Sequence, residues 1–339
     1  MAFTQLPFSD EMDITGRVPG RLNQEGTGVR VSPAWWATHF PVRAQELIHH
    51  DARFHPRRHI HDAPAGIRAI AHAHDNPECV VSGVSALALL GLPFLADSCD
   101  ATVNTSAGDG DREWGLVRRR RKAKRTWTVR WRGTNIPLSQ PTDAVVEALQ
   151  DIRDGIHGWA APTWVSDAQL LWAVQLVDAA RRHLGVSEPA ILRAARGRVN
   201  RQWVKKVLAL SSHLADSPKE TEMRLMCTAL VKDPRLAGAA EWAQLCVKLR
   251  PAGLVFIEQV PLFDGERPIT TFDLALADLK IALMYDGGHH LSRNQRDKDF
   301  RISLECQLQG WTVVRVSAGT LEQLPWVLFR LLKSRGVVG

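Results

Sequence analysis

The chain has 339 residues, of which 45% are hydrophobic and 23% charged, and its formal net charge is +7. That length exceeds what one hydrophobic core usually organises, so the sequence predicts a folded protein of two or more domains. No stretch offers the roughly 18 apolar residues that a membrane span needs and the first residues lack a signal-peptide pattern, which favours a cytoplasmic protein without a membrane partner.

Residues 1–60 form the first predicted segment, an N-terminal arm whose glycines interrupt every candidate pattern. Residues 43–61 carry five histidines, so a metal site has to be considered there. Their spacing matches neither the HExxH helix pattern nor a zinc-finger pattern, and the sequence therefore favours surface histidines over metal ligands. The five are His49, His50, His55, His59 and His61.

Residues 61–155 are predicted to form an α+β domain. Residues 80–90 have the small and apolar composition of a buried helix, and a second helix is predicted to begin at Pro141. Between them the sequence predicts strands at residues 101–104, 114–118, 125–132 and 136–138.

A basic run in this domain is the candidate nucleic-acid interface. Seven cations surround Trp127 and Trp131, an arrangement that could grip phosphates and stack on bases. The alternative is a hairpin whose solvated face is basic, but a dense run of like charges repels itself, and this favours nucleic-acid contact. The seven are Arg118, Arg119, Arg120, Arg121, Lys122, Lys124 and Arg125.

Positive charge is concentrated before residue 216. Residues 1–215 hold 27 Lys and Arg against 21 Asp and Glu, whereas residues 216–339 hold 16 against 15. This distribution is typical of a part that binds a polyanion joined to a part with another task. Five cysteines without a CxxC pair argue against a disulfide framework and a structural zinc site, so reduced and mostly buried thiols are expected.

Residues 156–215 have helical spacing throughout and are predicted to be a helical connector. A boundary follows, where Ser217 can cap a helix, Pro218 fits its first position and Glu220 has the capping-box spacing. Residues 216–339 then predict the order helix, three strands, helix, strand, helix, which is that of an α/β sandwich. The run Ile281–Tyr285 is apolar on both faces and is expected to be a central strand.

Two carboxylates and a histidine follow apolar runs of this last domain. Open α/β sheets usually place their chemistry at strand ends, and Mg²⁺ prefers carboxylate ligands. Asp273 and Asp286 are therefore predicted to bind Mg²⁺ (or Mn²⁺), with His290 able to move a proton during phosphodiester hydrolysis. The alternative is a solvated acid beside an ordinary Asp-Gly-Gly turn.

Several motifs of residues 216–339 together resemble the Vsr-like (very-short-patch-repair-like) endonuclease domain of the PD-(D/E)XK nuclease superfamily. The resemblance implies a three-layer sandwich with a metal-dependent site, in which Asp273 is the principal metal ligand, Glu220 an accessory acid, and Asp286 and His290 active-site residues. The motifs are Ser217-Pro218-Lys219-Glu220-Thr221, Phe272-Asp273, Tyr285-Asp286-Gly287-Gly288-His289-His290, Asp299 with Arg301, and Gly310-Trp311-Thr312-Val313-Val314-Arg315-Val316.

One residue departs from that family's pattern. Related nuclease domains usually read Glu-Tyr-Asp-Gly where this chain has Met284-Tyr285-Asp286-Gly287, and a thioether does not bind Mg²⁺. The mismatch-repair branch of the family also has an apolar residue here and uses a backbone carbonyl with a histidine where Asp286 stands. An inactive domain is therefore the alternative to an active one.

The front half more weakly resembles the AbiEi-type antitoxin architecture, on residues 80–92 and 136–148. That family begins with a winged-helix module, for which only residues 16–37 are present, so the module is expected to be truncated.

Together these features predict a metal-dependent DNA endonuclease acting in repair, restriction or phage defence. The runner-up is an inactive DNA-binding regulator or antitoxin, and an interaction module ranks third. The sequence leaves open whether the chain forms a homodimer.

Overall fold

The computed structural model describes residues 3–5, 12–15, 28–106, 113–121, 124–238, 240–287 and 293–339. The chain divides into two compact units. Unit 1 comprises Met1–Ala160 and Trp172–Ser211, and unit 2 comprises Ala161–Leu171 and Ser212–Gly339. Both units combine helices with sheets, which confirms the mixed α/β class. Most of the helical residues predicted as a connector cluster with unit 1.

Two sheets are present among the described residues of unit 1. Their strands are β1 (Phe3–Gln5), β2 (Asp13–Thr15), β3 (Val29–Arg30), β4 (Trp36–His39), β5 (Val80–Val81), β6 (Ala101–Thr105), β7 (Leu116–Arg120), β8 (Thr126–Trp131) and β9 (Thr134–Ser139). One sheet has the order β1-β8-β9-β5-β6-β7, and the other has the order β2-β4-β3.

The helices of unit 1 surround a core rich in small apolar side chains. They are α1 (Gln45–Phe54), α2 (Ala65–Asp75), α3 (Gly83–Leu89), α4 (Pro141–Arg153), α5 (Ala168–Leu184, from Trp172 onward), α6 (Glu188–Ala194) and α7 (Arg201–Leu210). Helix α3 is buried along its whole length. The predicted helix at residues 80–90 is wrong at its start, because the β-branched pair Val80 and Val81 forms β5 beside β6 instead.

Unit 2 is built on a single four-stranded sheet in its described residues, with the order β10-β11-β12-β13. Strands β10, β11 and β12 are successively antiparallel, whereas β12 and β13 are parallel and are connected by a helix. The elements are α8 (Pro218–Val231), α9 (Ala240–Leu249), β10 (Ile257–Asp264), β11 (Arg267–Leu276), β12 (Ile281–Tyr285), α10 (Arg293–Leu308), β13 (Thr312–Val316) and α11 (Leu324–Ser334).

Strand β12 is internal to this sheet, as its two-sided apolar pattern predicts. The core beside it centres on Phe272, which has 0% of its surface exposed and lies 4.7 Å from the ring of Trp311. Leu262, Ala275 and Cys306 complete this cluster with Ala282. The hairpin of β11 and β12 is therefore anchored from its apolar side.

The start of α8 has a variant of the predicted capping box, in which Glu220 accepts from the residue before the N-cap. Ser217 Oγ accepts from the backbone N–H of Glu220 at 3.2 Å, and Glu220 Oε2 accepts from the backbone N–H of Asp216 at 2.9 Å. All five cysteines are buried and free. Among the described residues, no helix has both the length and the apolar character required to cross a membrane.

Candidate functional sites

The carboxylate of Asp273 is fixed at the point where the pairing of β11 and β12 ends. The last paired residues are Leu274 and Leu283. Immediately beyond them, Asp273 Oδ2 accepts a 2.6 Å hydrogen bond from the backbone N–H of Tyr285. The side chain thus takes the place of a strand carbonyl, and its position follows from the register of the hairpin.

Burial raises the pKa of Asp273 to about 7. The Tyr285 N–H opposes this rise in the pKa, whereas the negative charges of Glu220, Asp216 and Asp286 add to it. These three acids are therefore close enough to interact with Asp273. We call Asp216, Glu220, Asp273 and Asp286 the acidic site, and a cation would relieve the mutual repulsion within it.

The two other predicted acids have partners of their own. Asp286 lies just past β12 and is exposed, and its Oδ1 accepts from Arg315 Nη1 at 2.9 Å. Glu220 serves the capping box and also accepts from Gln259 Nε2 at 3.4 Å. His290 lies outside the described residues. Asp216, which no sequence motif singled out, joins the site because it precedes the N-cap residue of α8.

Met284, where the resemblance to the Vsr-like domain leads one to expect an acid, packs against the Phe272 cluster. Its thioether is therefore part of the core packing of β12. Oxygen ligands for a cation in the acidic site must come from the carboxylates or from the backbone at the end of β12.

Three arginines of the predicted nucleic-acid interface are paired with acids of unit 1. Asp151 has 0% of its side chain exposed and forms ion pairs with Arg119 at 3.2 Å and Arg121 at 2.8 Å. Arg118 donates to Asn76 at 2.6 Å, and Arg125 lies 3.1 Å from Asp143. These pairs offset the repulsion among the positive charges of the basic run. That repulsion was the reason for predicting phosphate contact.

The remaining members of the basic run differ in exposure. Arg120, Lys124 and Arg125 are exposed, whereas Lys122 lies outside the described residues. Trp131 is only 4% exposed, so the expectation that it stacks on bases is wrong. Among the described residues of this run, the exposed cations are the ones that can contact a phosphate.

Asp151→Ala should lower the free energy of unfolding by about 3 kcal/mol, because two guanidinium groups lose a buried carboxylate. Asp154→Ala is the matched control, since Asp154 also pairs with Arg119 but is half exposed, and it should cost less than about 1 kcal/mol. Urea denaturation of both full-length variants measures the difference. Equal stabilities would contradict a structural role for the paired arginines.

Three histidines converge on a buried aspartate in unit 1. Asp100 Oδ1 lies 3.2 Å from His55 Nε2, 3.0 Å from His59 Nδ1 and 3.0 Å from His61 Nε2. We call these four residues the histidine cluster, and their four ligand-type atoms all lie within 4.8 Å of one another. Asp100 is 0% exposed.

The expectation of surface histidines is therefore wrong for the three members of this cluster. His49 and His50 on α1 are exposed as expected, but α1 ends at Phe54 with His55 as its C-cap, and a turn follows in which Arg58 has a φ of +55°. Burial lowers the pKa of His55 to about 4, and it also lowers the pKa of His59 and His61. The imidazoles are consequently neutral at pH 7.

Comparisons with known proteins identify no relative. No family model matches the chain, and neither the curated proteins nor the solved structures contain a significant match.

Proposed function

We propose that the chain is a metal-dependent DNA endonuclease whose phosphodiester chemistry takes place at the acidic site of unit 2. The observation that carries this proposal is the carboxylate of Asp273, held by the Tyr285 N–H at the end of the β11–β12 hairpin and surrounded by three further acids. Asp273 is partly buried and is repelled by the acids around it, and carboxylates grouped in this way are typical of a site that binds a divalent cation.

The order of elements supports this proposal. Unit 2 runs α8, α9, β10, β11, β12, α10, β13, α11, with an antiparallel meander followed by a helical crossover to a parallel strand. Helix α8 contacts β12, and α10 contacts β11 and β13. This is the arrangement that the resemblance to the PD-(D/E)XK sandwich implies, and it places Asp273 on the second strand of the meander.

The donor set fits a hard cation such as Mg²⁺ or Mn²⁺. Asp273 Oδ2 is engaged by the Tyr285 N–H, which leaves Oδ1 as the ligand atom, and Asp286 and Glu220 add oxygen donors nearby. When bound, the ion would polarise the phosphodiester and lower the pKa of a bound water. Arg315, held beside Asp286, supplies a positive charge that suits the phosphate.

The experiment that tests the proposal is nicking of supercoiled plasmid DNA by the full-length protein. Open circles should form with Mg²⁺ or Mn²⁺ and should not form with EDTA. Absence of nicking with both ions, across a range of plasmid sequences and methylation states, would overturn the proposed activity.

The second candidate is a non-catalytic DNA-binding regulator. The Asp286–Arg315 ion pair favours it, because that pair ties up one of the carboxylate oxygens expected to bind metal. Binding that weakens steeply with salt, without cleavage, would support this candidate. Exposed Arg120 and Lys124 are the cations whose replacement should reduce the salt dependence.

Mg²⁺ affinity should rise with pH up to about 7 and then level off. The raised pKa of Asp273 means that its carboxyl is protonated below pH 7, so Mg²⁺ has to displace a proton there. We expect affinity to fall about tenfold for each pH unit below 7. Calorimetry in buffers of different ionisation enthalpy counts the released proton. A flat profile without proton release would contradict the assignment of Asp273 as ligand.

A further inference from the structure

The histidine cluster contains a buried N–H group whose neighbouring carboxylate oxygen, Asp100 Oδ1 at 3.2 Å, does not form a hydrogen bond with it. His55 Nδ1 accepts from the backbone N–H groups of Arg57 at 3.1 Å and His59 at 3.3 Å. A neutral imidazole has one donor and one acceptor nitrogen, so the proton of His55 lies on Nε2. That atom is buried and has no hydrogen-bond partner in the part of the chain that the structure describes.

Asp100 Oδ1 does not have enough lone pairs to accept a hydrogen bond from each of the three imidazole rings. A carboxylate oxygen offers two lone pairs, and His59 and His61 already approach Asp100 Oδ1 at hydrogen-bond distance. The second oxygen, Oδ2, lies against the guanidinium of Arg57. A buried N–H left unpaired loses its hydrogen bonds to water without compensation, so a hydrogen-bond network alone leaves this cluster unsatisfied.

We propose that His59 Nδ1, His61 Nε2 and Asp100 Oδ1 bind a divalent transition-metal ion of the Zn²⁺ class, and that His55 Nε2–H donates to a water on that ion. Mixed imidazole and carboxylate donors are the ligands that such ions prefer. In a tetrahedral zinc site the usual bond lengths place neighbouring ligand atoms about 3.3 Å apart. The 3.0 Å separations of both rings from Asp100 Oδ1 are close to that value.

The surroundings of the cluster fit a metal site. Arg57 orients Asp100 from its second oxygen, as outer hydrogen-bond partners of metal ligands do. Gly115 approaches so closely that an added Cβ would lie 2.6 Å from His61 Cε1 and 3.0 Å from Asp100 Oδ1. Both Gly115 and Trp114 have positive φ, and strain of this kind in the non-glycine residue is often concentrated at functional sites.

A cleft gives access to the cluster from one side. It has a volume of about 270 Å³ and is lined by His59, His61, Trp114 and Gly115 among other residues of unit 1. An entry path and a fourth position open to water are what distinguish a reactive zinc site from a closed structural one. This site is separate from the acidic site in donor chemistry, because it offers nitrogen ligands.

Zn²⁺ titration of full-length protein carrying Asp273→Asn tests this site apart from the acidic one. One ion should bind, and Co²⁺ in its place should give the strong visible absorption of a four-coordinate complex. His59→Ala should weaken Zn²⁺ binding by about a hundredfold or more. A third of the His59 side chain is exposed, so the fold should tolerate its truncation, and His59→Gln provides a second variant of similar size.

His49→Ala is the matched control, since His49 is exposed on α1 outside the cluster, and it should bind Zn²⁺ like the parent protein. His55→Ala should weaken binding only about tenfold, as expected for a partner of a bound water. Zn²⁺ affinity that is no higher in the parent than in His59→Ala and His59→Gln would overturn the site. A loss in His55→Ala equal to that in His59→Ala would overturn the donor role of His55.

Discussion

Replacing Asp273 with Asn lowers the rate of Mg²⁺-dependent nicking by about a hundredfold or more if the acidic site is catalytic. The amide keeps the acceptor for the Tyr285 N–H, so the hairpin end is preserved while the negative charge is lost. The pKa of about 7 has a second consequence, because the folded state holds the proton of Asp273 more tightly than the unfolded state does. The contribution of Asp273 to stability is therefore lost as pH rises from about 4 to 7, and Asp273→Asn should lack this part of the pH dependence.

Asp278→Asn is the matched control for this variant. Asp278 is exposed in the turn Ala277–Leu279 of the same hairpin, so the substitution removes the same charge at a position away from the acidic site. Single-turnover nicking of supercoiled plasmid measures both variants. Equal rates for Asp273→Asn and Asp278→Asn would remove the catalytic claim and would favour the DNA-binding regulator.

Phe272→Ala should lower the free energy of unfolding of unit 2 by about 3–5 kcal/mol. Phe272 is among the largest fully buried side chains, and its truncation leaves a cavity against Trp311 and Cys306. Phe263→Ala on β10 removes the same atoms from a side chain that is 48% exposed, and it should change stability far less. Chemical denaturation followed by tryptophan fluorescence reports the difference.

Phe272 and Asp273 are neighbours in β11, but substitution of Phe272 is expected to affect stability and substitution of Asp273 is expected to affect nicking. Phe272 points into the core and Asp273 to the site, as alternation along a strand requires. Phe272→Ala that proved as stable as Phe263→Ala would show that the hairpin is anchored elsewhere. The position assigned to Asp273 would then lose its structural basis.

The element order of unit 2 could be predicted from local patterns, except for α9, which the predicted order lacks. Ser217 and Glu220 mark a helix start, and the two-sided apolar run at β12 marks an internal strand. Periodicity did not reveal which face of α10 is buried. Phe300, Leu304 and Leu308 are exposed, whereas Ile302 and Cys306 pack against the core, and both sets have helical spacing.

The sites of unit 1 depend on contacts between distant parts of the chain, which a single sequence does not show. Asp100 lies 39 residues after His61, and no local motif connects them. Asp151 likewise comes 30 residues after Arg121, so the basic run was interpreted without its counter-charge. The proximity of Asp273 and Asp286 was easier to expect, because Asp273 lies on β11 and Asp286 directly follows β12 of the same hairpin, although His290 lies outside the described residues.

Diffraction from crystals soaked in Mn²⁺ locates the metal of the acidic site, since the anomalous signal of the ion marks its position. A peak is expected about 2.2 Å from Asp273 Oδ1, with Asp286 or Glu220 as a second carboxylate contact. The peak should be lost in crystals of Asp273→Asn and retained in those of Asp278→Asn. Crystals soaked at a saturating Mn²⁺ concentration that show no manganese peak at Asp273 would contradict the assignment of the acidic site as a metal centre.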